Sequence, residues 1–288
     1  MPAATTHVEF AKDVLRTFPA LKKRIRNMRM FWLGSQGPDM LFFSHASALP
    51  GSLHKYGNLM HEKKVWPVIH FFESYAADDA DLTSYVLGYL CHYALDSVMH
   101  PLIYAVTDEI CTHEKTGQSD GVVHVTLESE IDVWMLHQRG RTIEDYDVYK
   151  YLRVNEKEAK KLAEMYHRMF HKVFHLDISA SRIYHGIQEV YIWTKWIRPR
   201  KSTHDAIYKI ENVIGSHFLT GMMLYDTKPG KIINLDHKAY MVPWSPHTMI
   251  HDSVPELYGK AVYKAGRLIR HHNKKDFSLD FKGEPDQN

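Results

Sequence analysis

The chain lacks most of the features that would place it at a glance. Only two of its 288 residues are cysteines, Cys91 and Cys111, and they form no CxxC pair. No disulfide framework is therefore expected, and a reducing compartment is accommodated. Charge of one sign is also missing: 36 basic side chains stand against 34 acidic ones, a formal +2, which gives no general pull toward nucleic acid or anionic lipid. No apolar run approaches the ~18 residues that suggest a membrane span. The opening stretch MPAATTHVEFAKDVLRTF has no basic segment followed by a long apolar core, so no secretory signal is expected. These absences predict a soluble, cytoplasmic protein. Strand-like alternation is scarce, and no internal repeat, low-complexity tract or domain linker is visible.

What the chain does have is enough apolar residue, 44% of the total, to bury a sizeable core. Apolar residues recur at helical period nearly everywhere, as in Val8, Ala11, Val14, Leu15 and Phe18. The period predicts helices at roughly 7–26, 63–78, 81–106, 121–138, 155–175, 179–197, 203–224 and 254–272. The expected fold class is all-α: a single multi-helix domain over residues 1–288, with a metal-site half to about 138 and further helices over about 150–275. Two segments are turn-rich. GSQGPDMLFF and HASALPGSLHKYGNLMHEKK mark a long loop between the first two helices, and DTKPGKIINLDHKAYMVPWSPH precedes the last. A loop longer than ~12–15 residues inside a compact domain usually has a task, and this one is rich in aromatics.

Histidine is abundant at 21 residues, so a single histidine means little and spacing must decide. In GYLCHYALDSVMHP, His92, Asp96 and His100 lie four apart in an apolar run. On an α-helix they form one slowly turning stripe. Pro101 follows and disfavours α geometry at the residue before it, so a bend is expected that splays His100 from His92 and Asp96, and one stripe then serves two centres. GVVHVTLESEIDVW repeats the device with His124 and Glu128 four apart. Asp39 and His61, in the glycine-rich region, and His7, at the start of the first helix, complete a set of eight imidazole or carboxylate side chains without a thiolate. Such donors commonly hold zinc, and a carboxylate, unlike an imidazole, bridges two ions. The same donors also suit manganese or iron, and an i,i+4 His/Asp pair is also what a local hydrogen bond looks like. His113, His137, His167, His171, His175, His271 and His272 show no such pattern and are expected to be structural.

The segments THVEFA, GSQGPDMLFF, GNLMH, GYLCHYALDSVMHP and HVTLESEID, in that order, resemble the zinc-dependent phospholipase C family, related in fold to zinc-dependent single-strand nucleases. The resemblance covers about the first 135 residues. VPWSPHTMIHDSVPELYGKAV is a weaker match. It implies an all-helical domain around a zinc cluster: one ion on Asp39, His61, His92 and Asp96, a second on His100, His124 and Glu128, and a third on His7 and the shared Asp96. The secreted relatives complete the third site with an N-terminal tryptophan. Here six residues precede His7, so two to three ions are expected, the third weakly held, absent or completed by another ligand. Those enzymes also bind choline with an aromatic after the loop aspartate and another three residues before the loop histidine, where this chain has Met40 and Asn58. A cationic head group needs aromatic faces, so choline recognition does not carry over. Phe42, Phe43 and Tyr56 are candidate pocket residues, two of them expected in the core.

The resemblance thus implies a phosphoester hydrolase, with zinc polarising phosphoryl oxygens and activating water and Asp39 as candidate general base. The expected substrate is a phospholipid head group or a soluble phosphoester. A nuclease or nucleotidase with the same metals and a non-enzymatic metal-binding helical protein stay open. In IYHGIQEVYIWTKWIRPR, the aromatics Tyr191, Trp193 and Trp196 beside Lys195, Arg198 and Arg200 would suit a lipid interface, but their period fits helix burial better. No site residue is expected between 150 and 250.

Overall fold

Helical period in the sequence becomes helix through most of the chain. A computed structural model describes residues 4–47, 51–113, 117–196, 198–215, 217–226 and 230–287. Its helices are α1 (Ala4–Thr17), α2 (Met28–Gly34), α3 (His54–Glu62), α4 (Val65–Ala76), α5 (Ala80–His113) and α6 (Asp120–His137). They are followed by α7 (Tyr149–Leu152), α8 (Glu156–Met169), α9 (Ala180–Trp196), α10 (Lys201–Ile214), α11 (Phe218–Gly221) and α12 (Val254–Arg270). The protein is mostly α, with one small hairpin of strands β1 (Tyr240–Val242) and β2 (Ser245–Ile250) among the described residues. None of the described helices is long and apolar enough to cross a membrane.

Where boundaries depart from the period, a local cause is visible. The first helix stops at Thr17, because Pro19 has no N–H to continue the ladder, and a 3-10 turn, Pro19–Arg24, follows. The helix expected over 155–175 gives way to a π turn, Phe170–Phe174, closed by His175 at a left-handed φ of +56°. The one expected over 203–224 is split at Gly215 into α10 and α11. Helix α5 runs through Pro101 to His113. Most side chains from Tyr85 to Val106 are buried, and that packing outweighs the single ladder bond a proline forfeits.

The expected long loop between the first two predicted helices is largely helical. Asn27 caps α2 by accepting the Arg29 and Met30 N–H groups, a 3-10 run occupies Gly37–Ser47, and α3 follows. Amphipathic period is hard to see in turns this short, which is why they read as loop. The β hairpin was likewise unexpected: Tyr240 pairs with Ile250 and Met241 with Met249, before an irregularity brings Val242 opposite Ser245.

By its internal contacts the chain divides into two compact units. One comprises His7–Ser97, Val148–Trp196 and Ala261–Asn288. Its core is aromatic: Phe72, Tyr85, Tyr89, Tyr93, Tyr166 and Phe170 are all fully buried, and Tyr85 and Tyr166 share a hydroxyl hydrogen bond of 2.6 Å. Helices α2 and α5 pack at backbone contact. A Cβ on Gly34 would lie 2.1 Å from the Tyr85 carbonyl oxygen, and one on Gly88 2.1 Å from that of Phe31. Helix α9 buries Ile183, Gly186, Ile187 and Val190 while Trp196 is exposed. The other unit comprises Met1–Thr6, Val98–Asp147 and Ile197–Lys260. There α6 packs against α11 and a 3-10 turn, Lys231–Ile233, and Asp132 accepts the Thr6 N–H at 2.8 Å and the Thr6 hydroxyl at 2.5 Å.

Candidate metal centre

In the unit that holds His7–Ser97, four side chains from three elements meet. Asp39 stands in the first turn of the 3-10 run, His61 in the last turn of α3, and His92 and Asp96 one turn apart on α5. All four are buried, and one ligand atom from each lies within 4.8 Å of the others. His61 Nε2 is 2.9 Å from Asp39 Oδ1, and His92 Nε2 is 2.9 Å from Asp96 Oδ2. The crossed distances, His61 to Asp96 and His92 to Asp39, are both 3.9 Å. Ligands about 2.0–2.1 Å from a tetrahedral zinc stand roughly 3.3 Å from one another, the middle of this range.

Proton placement supports the same conclusion. His61 Nδ1 is 2.8 Å from the Gly57 carbonyl oxygen, which only accepts, so Nδ1 carries the hydrogen. In a neutral ring Nε2 then turns a lone pair toward the Asp39 carboxylate. His92 is similar: Nδ1 is 3.2 Å from the Ser35 carbonyl oxygen and also 3.2 Å from His7 Nδ1, and Nε2 faces Asp96. Two acceptors at 2.9 Å repel unless a shared proton or a metal cation lies between them. A second-shell carbonyl on Nδ1 is also the usual way a metal-binding imidazole is oriented. The donor set therefore fits zinc. Gly37, at a φ of +52°, makes room for the His92 ring, because an added Cβ would lie 2.0 Å from His92 Cδ2.

His7, on α1, completes this neighbourhood. Its ring centroid is 4.3 Å from that of His92, and its Nε2 is 3.3 Å from Asp96 Oδ1 and 3.9 Å from Asp39 Oδ2. Asp96 thus turns one oxygen to His92 and the other to His7.

The second group lies in the other unit. His100 on α5 and His124 and Glu128 on α6 also bring one ligand atom each within 4.8 Å. Glu128 Oε1 is 3.4 Å from His100 Nε2 and 3.5 Å from His124 Nε2. Burial alone would raise the Glu128 pKa, but the His124 and His100 imidazoles hold it well below the usual carboxylate range. Three protein ligands leave a fourth position open, as in catalytic zinc sites. Tyr104 packs on His124, with ring centroids 4.7 Å apart, and Trp244 meets Tyr104 edge-on at 5.6 Å.

Each of the eight residues singled out in the sequence thus falls in one of these two neighbourhoods. Among the histidines expected to be structural, His113 faces Glu109 and His272 faces Glu73, and among the described residues neither joins a group of three such side chains. Met40 is buried, Asn58 exposed and Phe43 buried. Tyr56 packs on Phe170, whereas Phe42 stacks on His61 at 5.4 Å. Sequence reasoning missed Trp244 and Phe281, the latter packed on His61 and His92. Isolated aromatics far along the chain carry no periodic signal.

The described residues thus build a mostly helical scaffold with two histidine–carboxylate groups, each of a composition that fits a zinc ion. A sequence model of the zinc-dependent phospholipase C family matches residues 6–191, and the chain belongs to that family. The match spans all eight residues of the two neighbourhoods; Trp244 and Phe281 lie beyond it. No curated protein and no solved structure matches the chain.

Proposed function

We propose that the chain is a zinc-dependent phosphoric ester hydrolase of the phospholipase C type, acting on a phosphodiester. The observation that carries this reading is the pair of buried carboxylates, Asp39 and Asp96, each 2.9 Å from an imidazole nitrogen whose partner nitrogen faces a backbone carbonyl. Asp39, His61, His92 and Asp96 would hold one ion, His100, His124 and Glu128 a second, and His7 with Asp96 a third. Bound zinc supplies Lewis-acid charge for a phosphoryl oxygen and lowers the pKa of a water.

The remaining work falls to the chain. Asp39 has one oxygen toward His61 and the other 3.9 Å from His7 Nε2, so the second oxygen is placed to take a proton from attacking water. Gly57 and Ser35 carbonyls hold His61 and His92 in the tautomer that offers Nε2. The half-buried Phe42, stacked on His61, supplies an apolar wall for the substrate's organic group.

The test is turnover by zinc-loaded protein on a short-chain phosphatidylcholine, a soluble aryl phosphodiester, a phosphomonoester and a single-stranded oligonucleotide. Zinc-dependent cleavage of a diester, slowed about 10²–10⁴-fold by Asp39→Asn, is expected. No turnover of any of the four at defined zinc loading would contradict the reading and leave a metal-binding helical protein. Cleavage of the oligonucleotide alone would assign a nuclease instead.

A further inference from the structure

The C-terminal residues, beyond the stretch matched by the family, pack directly on two of the proposed ligands. Phe281 is fully buried, with its ring centroid 5.2 Å from that of His61 and 5.5 Å from that of His92. The two imidazoles are themselves 5.8 Å apart, nearly perpendicular. The three rings thus form a close triangle in which Phe281 is the only member without a ligand atom.

The contact is anchored on both sides. The Phe281 N–H donates to the His61 carbonyl oxygen at 3.1 Å, so the strap is bonded to the residue whose ring it touches. The Tyr93 hydroxyl, one residue after His92, donates to the Leu279 carbonyl oxygen at 2.9 Å. Further along, Asp286 accepts the Val65 N–H at 3.1 Å. His61 and His92 come from different helices, and each has its own carbonyl anchor, Gly57 for one and Ser35 for the other; neither anchor touches both rings. Phe281 touches both, and an incompressible ring wedged between them couples their positions, since a packed interior transmits displacement rather than absorbing it.

We infer that residues 274–287 form a strap that is part of the metal centre, with Phe281 as a positioning residue for His61 and His92. The inference rests on the zinc reading of that group. Linkage then makes the effect mutual: if Phe281 favours the geometry that binds zinc, bound zinc favours the closed strap by the same factor.

The test compares Phe281→Leu with Phe277→Leu by zinc titration against a competing chelator. Both variants keep an apolar side chain in the strap, but Phe277 packs on Trp66 and Tyr93 rather than on a proposed ligand. Phe281→Leu is expected to weaken zinc binding about tenfold or more, the usual scale for a second-shell change, with Phe277→Leu within about threefold of the parent. In the parent protein, zinc is expected to slow hydrogen exchange of the Phe281 amide. Parent-like zinc affinity in Phe281→Leu would overturn the inference while leaving the zinc reading intact, and so would equal losses in both variants. A parent protein that binds no zinc would overturn both.

Discussion

Asp96 Oδ2 lies 2.9 Å from His92 Nε2 while Asp96 Oδ1 lies 3.3 Å from His7 Nε2. One carboxylate thus serves an imidazole on its own helix and another 85 residues earlier in the chain. Without a cation, two buried carboxylates and three imidazoles held this close depend on shared protons. With a cation, the same atoms become a ligand shell, and its binding energy adds to folding.

Chelation should therefore destabilise the protein. Zinc at about 1,000 times its dissociation constant is expected to add roughly 4 kcal/mol over the metal-free state. Thermal unfolding with chelator and after zinc is restored checks this, and in Asp39→Asn the zinc-dependent shift should shrink to less than half.

Gly37 should tolerate no side chain. Gly37→Ala forces an L-residue to a φ of +52° and puts its Cβ 2.0 Å from His92 Cδ2. Strain plus displacement of a ligand should cost roughly 2–4 kcal/mol and one zinc. Gly140→Ala is the control: its φ is +64° and nothing lies within 4 Å of an added Cβ. It should cost about 1 kcal/mol and leave the zinc content unchanged, as denaturant unfolding and metal analysis would show.

The two groups were legible to very different degrees. His92/Asp96 and His124/Glu128 are i,i+4 pairs on α5 and α6, so helical period alone put each pair on one face. Asp39 and His61 had no such signal. They sit on a 3-10 run and a short helix that read as loop, and only the family resemblance joined them to the stripe. Phe281 and Trp244 were invisible because their contacts join residues well over a hundred positions apart, and nothing local in the sequence encodes a ring meeting a ring across that distance. Helix α5 continues through Pro101, as its apolar period implied, and the stripe on it divides between two groups, with His92 and Asp96 in one and His100 in the other.

Lys264 offers a test of burial free of the ligands. Its ammonium donates to Ser97 Oγ at 2.7 Å, and burial, aided by Arg267, lowers its pKa to about 8. Between pH 8 and 10.5 the unfolded chain keeps a proton that the folded one has lost, so this group's penalty is full below pH 8 and fades as pH rises. Lys264→Met should then be more stable than the parent by about 1–3 kcal/mol at pH 7. Denaturant unfolding across this range should show the gap closing toward pH 10. A gap of constant size would refute the assigned cause.

The second group should titrate independently of the first. Glu128→Gln removes the one carboxylate facing His100 and His124. It should lose about one zinc per chain while the zinc-dependent rise in thermal stability stays at more than half the parent value.

The most direct measurement is the zinc content of untagged protein purified without chelator, beside Asp96→Ala. The account predicts about two to three zinc ions per chain, falling by more than one in the variant because Asp96 serves both His92 and His7. Less than about half an ion per chain, unchanged by the substitution and not restored by added zinc, would contradict it.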